Sequence, residues 1–413
     1  MAQKARRAQK ELVKADSKAK DKALENIAAK LYSRREEVFA ANKLDVDAAK
    51  AKGMDAAFVD RLAITEKVLL QMIQGVRDII ALADPIGAIE NMQARPSGIR
   101  VGQMRMPIGV IGMIFESRPN VVVDAAALAV KSANALILRG GSDALESNKV
   151  LARIVQDSLA EAMLPQDAVQ LVDVSDREVV GAMITAKGEI DVIIPRGGKS
   201  LISRLDAEAT VPMIKHLNGM CHTYVDEGAD IEMAVAVVDN AKTQRFSPCN
   251  ATETLLVHRR IAFDFLPEIS RIFHDKNVEM RCDEASRRII EEAGMSAIDA
   301  APEDWDTEYN APIINIRVVS SFDEALEHIA RHGSMHTEAI VTNNLEHSQR
   351  FLREVDASSV MVNASTRFAD GFEYGLGAEM GISTDRLHVR GPVGLLGLTN
   401  LKYIVVGRGQ GRS

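Results

Sequence analysis

The chain has 413 residues, and its 50 Lys or Arg and 58 Asp or Glu give a formal net charge of −8. Hydrophobic residues make up 46% of the chain and charged residues 26%, which is typical of a soluble globular protein of two or three domains. The acidic balance argues against a protein that binds nucleic acid over a broad basic surface.

Cysteine usage and the apolar runs predict a cytoplasmic protein. Cys221, Cys249 and Cys282 form no Cys-x-x-Cys pair, so neither a disulfide framework nor a zinc knuckle is indicated. The longest apolar run, 121–130, is interrupted by Asp124 and is shorter than a membrane span. The N-terminus lacks the apolar core of a signal peptide, and we expect no membrane partner.

The first 83 residues are predicted to be helical, because Ala, Lys, Glu and Leu dominate and apolar residues recur at near-helical spacing. Residues 1–35 contain eleven Lys or Arg against four Asp or Glu. Such a stretch is more typical of the solvated face of an amphipathic helix than of a nucleic-acid-binding arm, so no nucleic-acid partner is expected.

From about residue 97, short apolar runs alternate with helical patterns, which predicts parallel sheets covered by helices on both faces. The first series has strands at 108–115, 135–138, 169–172 and 191–194, and helices at 120–132, 143–162, 176–186 and 199–207. The second has strands at 254–258, 278–281, 313–318, 339–342 and 359–362, and helices at 261–273, 322–331 and 345–355. A last strand is predicted at 401–406, and the boundary between two α/β lobes near 226–230.

Two glycine-rich turns lie where predicted strands meet helices, at residues 139–142 (RGGS) and 196–200 (RGGKS). Neither fits the dinucleotide fingerprint or the P-loop. Each alone is more typical of a plain tight turn. Two of them at consecutive strand ends make a nucleotide site an equal alternative, because glycine lets a ligand approach the backbone at a helix N-terminus.

Cys249 lies in an irregular turn beside Pro248, four residues after Arg245. A loop cysteine near a cation forms a thiolate readily and would be a nucleophile. A buried, inert thiol is an equally good interpretation of the local sequence. Cys221 and Cys282 are interpreted as packing residues.

His216 and His222 have a spacing that suits a metal ion. No carboxylate or third imidazole lies nearby in the sequence to complete a ligand set, so no metal is expected.

Several motifs in fixed order resemble those of the aldehyde dehydrogenase superfamily, and in particular its branch that reduces gamma-glutamyl phosphate. They are MPIGVIG (106–112), ESRPN (116–120), LRGGS (138–142), IPRGGK (194–199), KHLNG (215–219), TQR (243–245), CN (249–250) and GLGAE (375–379). The resemblance extends over nearly the whole chain.

The resemblance implies an α/β fold of aldehyde dehydrogenase type, with two Rossmann-type lobes, an N-terminal helical region and a β-strand oligomerisation element. Residues 1–225 would form the helices and an NADP-binding domain, including a strand element near 97–107 shared with the oligomerisation region. Residues 226–362 would form the catalytic domain. Residues 363–413 would form a return segment whose strand, 401–406, pairs across a subunit boundary.

The resemblance also implies residue roles. Cys249 matches the nucleophile, and Asn120 the side chain that forms the oxyanion hole with the Cys249 backbone N–H. Gly197 and Gly198 match the turn near the cofactor pyrophosphate. Glu308 matches the glutamate that holds the nicotinamide ribose, although Asn310 stands where many relatives carry Phe.

Cofactor preference is implied by the first glycine-rich turn, where Arg139, Gly140 and Ser142 are expected to bind the cofactor. Ser142 stands where NAD-preferring relatives carry an acidic residue, which predicts NADPH over NADH. Asp143 is expected to point away along the following helix.

The implied reaction is NADPH-dependent reduction of L-glutamyl 5-phosphate to L-glutamate 5-semialdehyde and phosphate through a Cys249 thioester, in proline biosynthesis. His216 stands where hydrolytic members carry a glutamate that activates water, and its presence fits an enzyme that must protect a thioester from water. Candidate cations for the substrate phosphate and carboxylate are Arg118, Lys215, His216 and Arg245. A homo-oligomer and functional coupling to glutamate 5-kinase are also expected.

Two other interpretations differ in class. A hydrolytic aldehyde dehydrogenase would form a carboxylate, and the missing glutamate argues against it. A non-catalytic scaffold, or a nucleic-acid-binding protein that uses the basic N-terminal helix, is disfavoured because Cys249 and Asn120 are both present.

Overall fold

The computed structural model describes residues 1–174, 176 and 178–412, with Ala57 and Lys199 described by their backbone alone. The chain divides into two compact units. Unit 1 comprises Met1–Lys215, Gly375–Ile382 and Pro392–Ser413, and unit 2 comprises His216–Tyr374 and Ser383–Gly391.

Unit 1 begins with a helical region, which confirms the prediction for the first 83 residues. Its helices are α1 (Ala2–Leu12), α2 (Ser17–Ser33), α3 (Arg35–Ala51), α4 (Ala56–Leu62) and α5 (Glu66–Ala81). The side chains of Asp16, Asp55 and Thr65 accept backbone N–H groups at the starts of α2, α4 and α5, and so satisfy donors that a helix leaves unpaired.

Basic side chains of these first helices form ion pairs inside unit 1. Arg6 pairs with Asp191 at 2.7 Å, Lys30 with Glu161 at 2.6 Å, and Arg34 with Asp157 at 2.8 Å. These contacts belong to the fold, which agrees with the amphipathic-helix interpretation of the basic stretch.

The sheets of unit 1 follow the helical region. The next elements are β1 (Ile89–Ala94), β2 (Arg100–Pro107), β3 (Val110–Phe115), α6 (Val121–Lys131), β4 (Ala135–Gly140), α7 (Leu145–Glu161), β5 (Val169–Leu171), α8 (Glu178–Ile184), β6 (Val192–Arg196) and α9 (Lys199–Glu208). Among the described residues, β5, β4, β3 and β6 form a parallel sheet in that order. The predicted strands and helices agree with these within a few residues. Arg177, inside the predicted helix 176–186, lies outside the described residues.

Unit 2 has the elements β7 (Cys221–Val225), α10 (Ile231–Thr243), β8 (Thr252–His258), α11 (Ala262–Asp275), β9 (Glu279–Cys282), α12 (Glu284–Glu292), β10 (Ile298–Asp299), β11 (Ile313–Val319), α13 (Phe322–His332), β12 (Thr337–Val341), α14 (Leu345–Glu354) and β13 (Ser359–Val362). In the part of the chain that is described, its strands form a parallel sheet with the order β10-β9-β11-β8-β7-β12-β13.

Unit 2 begins ten residues before the domain boundary expected after residue 225. The reason is β7, which pairs with β8 and β12 and therefore belongs to the sheet of unit 2. The sequence pattern did not indicate β7, because polar side chains interrupt its apolar ones. These polar groups are buried and bonded: the hydroxyls of Thr223 and Thr252 lie 2.7 Å apart.

Residues 363–413, which were expected to form a return segment and a strand, are divided between the two units. Two short strands, β14 (Ile382–Ser383) and β15 (Gly391–Pro392), lie where the chain passes between units. The last strand, β16 (Thr399–Val406), was predicted two residues shorter, and it pairs antiparallel with β2, which also pairs with β1. No helix in the described ranges is long and apolar enough to span a membrane.

Candidate active site

Cys249 lies in the loop between α10 and β8, and the loop is held from two sides. The Cys249 carbonyl oxygen accepts a hydrogen bond from the Cys221 thiol at 3.2 Å. Gly219 packs so closely that a Cβ there would lie 1.9 Å from the same oxygen, so glycine is required. The Asn250 amide donates to the Ala369 carbonyl at 3.0 Å. These contacts fix the loop around the sulfur.

The three thiols differ in their surroundings. Cys221 and Cys282 are buried, and Cys249 is partly exposed. Burial raises the pKa of Cys282 to about 12 and the pKa of Cys221 well above its ordinary value, so both stay neutral thiols. Both are therefore packing residues, in agreement with the sequence interpretation.

The Arg367 guanidinium lies close enough to Cys249 for the two groups to interact. Arg367, in the turn after β13, has its pKa lowered, chiefly by burial; Asp370 and Cys249 act to raise it, and Arg245 adds to the lowering. The Arg367 Nε donates to the Gln244 side chain at 3.0 Å. Arg245 was expected here, but Arg367 was missed because nothing in its local sequence singles it out.

Histidines complete the surroundings of Cys249. One donor atom from each of His216, Cys249 and His336 lies within 4.8 Å of the others. The two imidazole rings meet edge to face, with centroids 5.3 Å apart. His216, Cys249 and His336 lie five, three and one residues before the starts of β7, β8 and β12. These strands are parallel neighbours, so their amino ends meet at one edge of the sheet.

His222, the sequence partner of His216, does not belong to this cluster. Its Nδ1 lies 2.9 Å from Glu338 Oε2, and both side chains are fully buried. Burial raises the pKa of Glu338, and the charge of His222 partly offsets that effect. His222 is therefore a structural residue, and the second histidine of the cluster is His336.

Glu308 lies in a loop of unit 2 that is anchored to the buried side chain of Glu253. The Asn310 N–H donates to Glu253 Oε1 at 3.1 Å, and Glu253 Oε2 pairs with Lys242 at 2.7 Å in a fully buried ion pair. Burial raises the pKa of Glu253 to about 7, and Lys242 offsets part of that rise. Asn310 has a φ of 52°, a conformation that asparagine tolerates better than most other residues.

Asn120 lies in unit 1, at the start of α6. Its Nδ2 donates to Asp124 Oδ2 at 3.1 Å, and both residues line a small cavity with Arg118, Arg196 and Glu379. Burial raises the pKa of Asp124 to about 6, and the Asn120 hydrogen bond and the Arg196 charge act against it. Asp124 therefore fixes the orientation of the Asn120 amide.

The two glycine-rich turns end β4 and β6, which flank β3 in the sheet of unit 1. β4 and β6 lie on opposite sides of β3, so the strand order reverses at this point. Such topological switch points commonly bind nucleotides in α/β proteins. A Cβ on Gly140 would lie 2.3 Å from Asn148 Nδ2, and one on Gly197 would lie 2.7 Å from Glu116 Oε2. The Gly198 N–H, at the start of α9, donates to Glu116 Oε2 at 3.2 Å.

The side chains beside the first turn are also held. Asp143 forms an ion pair with Lys52 at 2.9 Å. Arg139 donates to the carbonyl oxygens of Gly140 at 2.8 Å and Asp176 at 3.3 Å. Lys215, at the end of unit 1, pairs with Asp206 at 3.2 Å.

Within unit 2, the structure thus brings together Cys249 and His216 of the predicted site, and Arg245 lies close enough to Arg367 to interact with it. Within unit 1 it brings together Arg118 and Asn120 at the cavity. It also places Arg139, Gly140, Ser142, Gly197 and Gly198 at one edge of a sheet.

Comparison with known proteins gives one consistent family. The model of the aldehyde dehydrogenase family matches residues 1–288 and 295–378. A gamma-glutamyl phosphate reductase from Thermotoga maritima is 45% identical, covers 100% of this chain and 99% of its own, and superposes with a TM-score of 0.96. The gamma-glutamyl phosphate reductase from Saccharomyces cerevisiae is 29% identical over 100% of this chain and 98% of its own, with a TM-score of 0.55. An acetylating aldehyde dehydrogenase from Geobacillus thermoglucosidasius, 19% identical over 100% of this chain and 96% of its own, shares the fold with a TM-score of 0.70. The chain belongs to the aldehyde dehydrogenase family.

Proposed function

We propose that the chain reduces L-glutamyl 5-phosphate to L-glutamate 5-semialdehyde and phosphate with NADPH, a step of proline biosynthesis. The observation that carries the proposal is 45% identity over the whole chain to a gamma-glutamyl phosphate reductase. The partly exposed Cys249, close to the Arg367 guanidinium, supplies the chemistry that such a reaction needs.

The covalent step starts at the Cys249 thiolate, which attacks the acyl carbon of the substrate. A C–S bond forms, the bond from carbon to the bridging oxygen breaks, and phosphate leaves with the electron pair. NADPH, when bound, would supply the hydride that reduces the thioester carbon. The C–S bond of the resulting thiohemiacetal then breaks, so that the aldehyde leaves and Cys249 regains its thiolate.

Arg245 and Arg367 offer charge-assisted donors to an anionic group of the substrate, and planar guanidinium groups suit both carboxylate and phosphate. Arg118, Lys215 and His216 remain candidates for the same anionic groups.

Asn120 is proposed as the side-chain donor to the carbonyl oxygen, which becomes negative during the attack. Its hydrogen bond to Asp124 uses one of the two amide hydrogens, so the other stays available. The amide is thus oriented before substrate binds, which is the property that makes an oxyanion donor effective.

The residues at the carboxyl ends of β4 and β6 fit NADPH, and members of the family use NAD or NADP. Arg139 and Ser142 would bind the 2′-phosphate, because Lys52 neutralises the neighbouring carboxylate of Asp143. Gly140, Gly197 and Gly198 would lie against the cofactor backbone, and Glu308 would hold the nicotinamide ribose.

The thioester must be kept from water, and the surroundings of Cys249 suit that need. Among the described residues, the donor cluster around the sulfur contains two imidazoles and no carboxylate, so it has no counterpart of the glutamate that activates water in hydrolytic members. A homo-oligomer, coupling to a glutamate 5-kinase and a cytoplasmic location stay predictions from the sequence.

The test is the reverse reaction, followed as NADP⁺ reduction with glutamate 5-semialdehyde. We expect turnover to require inorganic phosphate and the product to be an acyl phosphate, trapped as a hydroxamate with hydroxylamine. Equal turnover without phosphate, with glutamate as product, would instead identify a hydrolytic aldehyde dehydrogenase.

A further inference from the structure

His216, Cys249 and His336 offer a set of donors that the proposed reaction does not require in full. Two imidazole nitrogens and one sulfur lie within 4.8 Å of one another. Zn²⁺ prefers imidazole and thiolate ligands in tetrahedral geometry, whereas Mg²⁺ and Ca²⁺ prefer oxygen. Tetrahedral Zn²⁺ would bring such donors to separations of about 3.3–3.6 Å, which small rotations of the side chains can reach.

His336 is already oriented by its neighbours. It is buried, and its Nδ1 lies 2.9 Å from the Thr337 hydroxyl. If Nδ1–H donates to that hydroxyl, Nε2 carries the lone pair that a metal needs, and an outer hydrogen bond of this kind is usual for metal-binding histidines. His336 therefore needs little reorganisation to act as a ligand.

The positive charge nearby opposes a cation, because the Arg367 guanidinium lies close enough to Cys249 for the two groups to interact. The affinity must therefore come from the three donors. With three ligands and an open fourth position, the site resembles exchangeable zinc sites more than closed structural ones.

We propose that His216, Cys249 and His336 form a Zn²⁺ site whose occupation reversibly blocks the Cys249 nucleophile. Binding forms the Zn–S bond and releases the thiol proton, and the fourth position takes water or phosphate. Binding itself is independent of the reaction, but the inhibition rests on the proposed function.

Binding is tested on the full chain by titration calorimetry with Zn²⁺ and by titration with Cd²⁺, whose bond to sulfur gives an ultraviolet charge-transfer band. We expect one ion per chain and loss of the band in Cys249→Ser. His216→Gln and His336→Gln should each weaken binding by about tenfold or more, at least the cost of losing an outer partner of a ligand. His274→Gln, at an exposed histidine on α11, is the matched control and should bind normally.

His336 is buried, so its variant is checked for folding by circular dichroism, and the partly exposed His216 provides an independent variant. Normal Cd²⁺ binding by both histidine variants would overturn the site. Turnover measured in parallel should fall with Zn²⁺ and recover with EDTA. Zn²⁺ binding by a chain that lacks reductase activity would overturn the proposed function and leave the site standing, whereas an active reductase that binds no Zn²⁺ would do the reverse.

Discussion

At the scale of single residues, the three thiols predict different consequences of substitution. Cys249 is partly exposed and close to Arg367, and Cys282 is a buried, neutral thiol. We expect Cys249→Ser to lower kcat by about 10³-fold or more, because a hydroxyl is a far weaker nucleophile than a thiolate. Cys282→Ala should retain activity. Steady-state rates and mass spectrometry of the acylated chain measure the difference, and near-native turnover of Cys249→Ser would exclude a covalent mechanism at that residue.

Asp124 should make stability depend on pH. Its folded pKa is about 6, above its ordinary value of 3.8, so the folded chain holds a proton that the unfolded chain releases. Stability from this group is complete below about pH 4 and is lost as the pH rises through 6, by roughly 3 kcal/mol at most. Asp124→Asn mimics the protonated acid, and Arg196 keeps Glu379 as its partner. Urea unfolding from pH 4 to pH 8 should show the variant gaining stability over the native chain. A constant difference would contradict this.

Cofactor preference should depend on Lys52 as well as on Ser142. Lys52→Gln would remove the partner of Asp143 and leave a carboxylate near the proposed site of the 2′-phosphate. We expect this change to lower the ratio of kcat/KM for NADPH over NADH, and Ser142→Glu to lower it further or reverse it. Lys43→Gln, at an exposed ion pair on α3, is the control. Equal kcat/KM for the two cofactors in the native chain would reject the assignment.

At the scale of elements, the buried Lys242–Glu253 pair connects α10, β8 and the loop that carries Glu308. Lys242→Met would leave a buried carboxylate without its partner and should lower the free energy of unfolding by about 3–5 kcal/mol. The loss should be greater at pH 8 than at pH 6, because the raised pKa of Glu253 lets the carboxyl take up a proton at the lower pH. KM for NADPH should rise more than kcat falls, since the loop would lose its anchor.

The control for this element is Lys276→Met. Lys276 forms a half-exposed pair with Asp239 at 2.6 Å, and the loss of such a pair should cost less than about 1 kcal/mol. Equal losses in the free energy of unfolding for Lys242→Met and Lys276→Met, measured with denaturant, would show that burial does not increase the contribution of the Lys242–Glu253 pair.

The same scale shows which elements a sequence can predict. β3 is buried along its whole length, and its continuous apolar run reveals it without further information. β7 is equally buried, but its Thr223 hydroxyl and His222 Nδ1 are hydrogen-bonded to residues of β8 and β12, which are far away in the sequence. Strands are predicted from the pattern of apolar residues in the sequence. A strand whose polar side chains are hydrogen-bonded inside the core lacks that pattern and is therefore missed.

The candidate site follows the same rule. Cys249 and Arg245 are close in sequence, and that proximity was sufficient to single them out. His336 reaches Cys249 because β8, β7 and β12 are neighbours, and strand order is a property of the folded sheet. Arg367 likewise depends on the course of the chain after β13. The resemblance to a family assigned roles, but these two residues required the structure.

At the scale of the whole molecule, β16 lies at the edge of its sheet, and Leu401, Tyr403 and Val405 project from one of its faces with substantial exposure. An apolar edge strand of this kind favours association, so we expect a homo-oligomer in solution. Val405→Asp should shift the sedimentation coefficient toward the monomer, and Lys402→Asp, on the opposite face of the strand, should not. A native chain that sediments as a monomer at micromolar concentration would contradict the prediction.

The discontinuous course of unit 1 constrains its synthesis on the ribosome. Glu379, the partner of Arg196, and β16, the partner of β2, are translated only after residues 216–374 of unit 2 have been made. Until then β2 has an open edge, which is a template for wrong pairing between nascent chains. A premature stop before residue 399 would therefore produce an aggregation-prone polypeptide even though every predicted catalytic residue had already been translated.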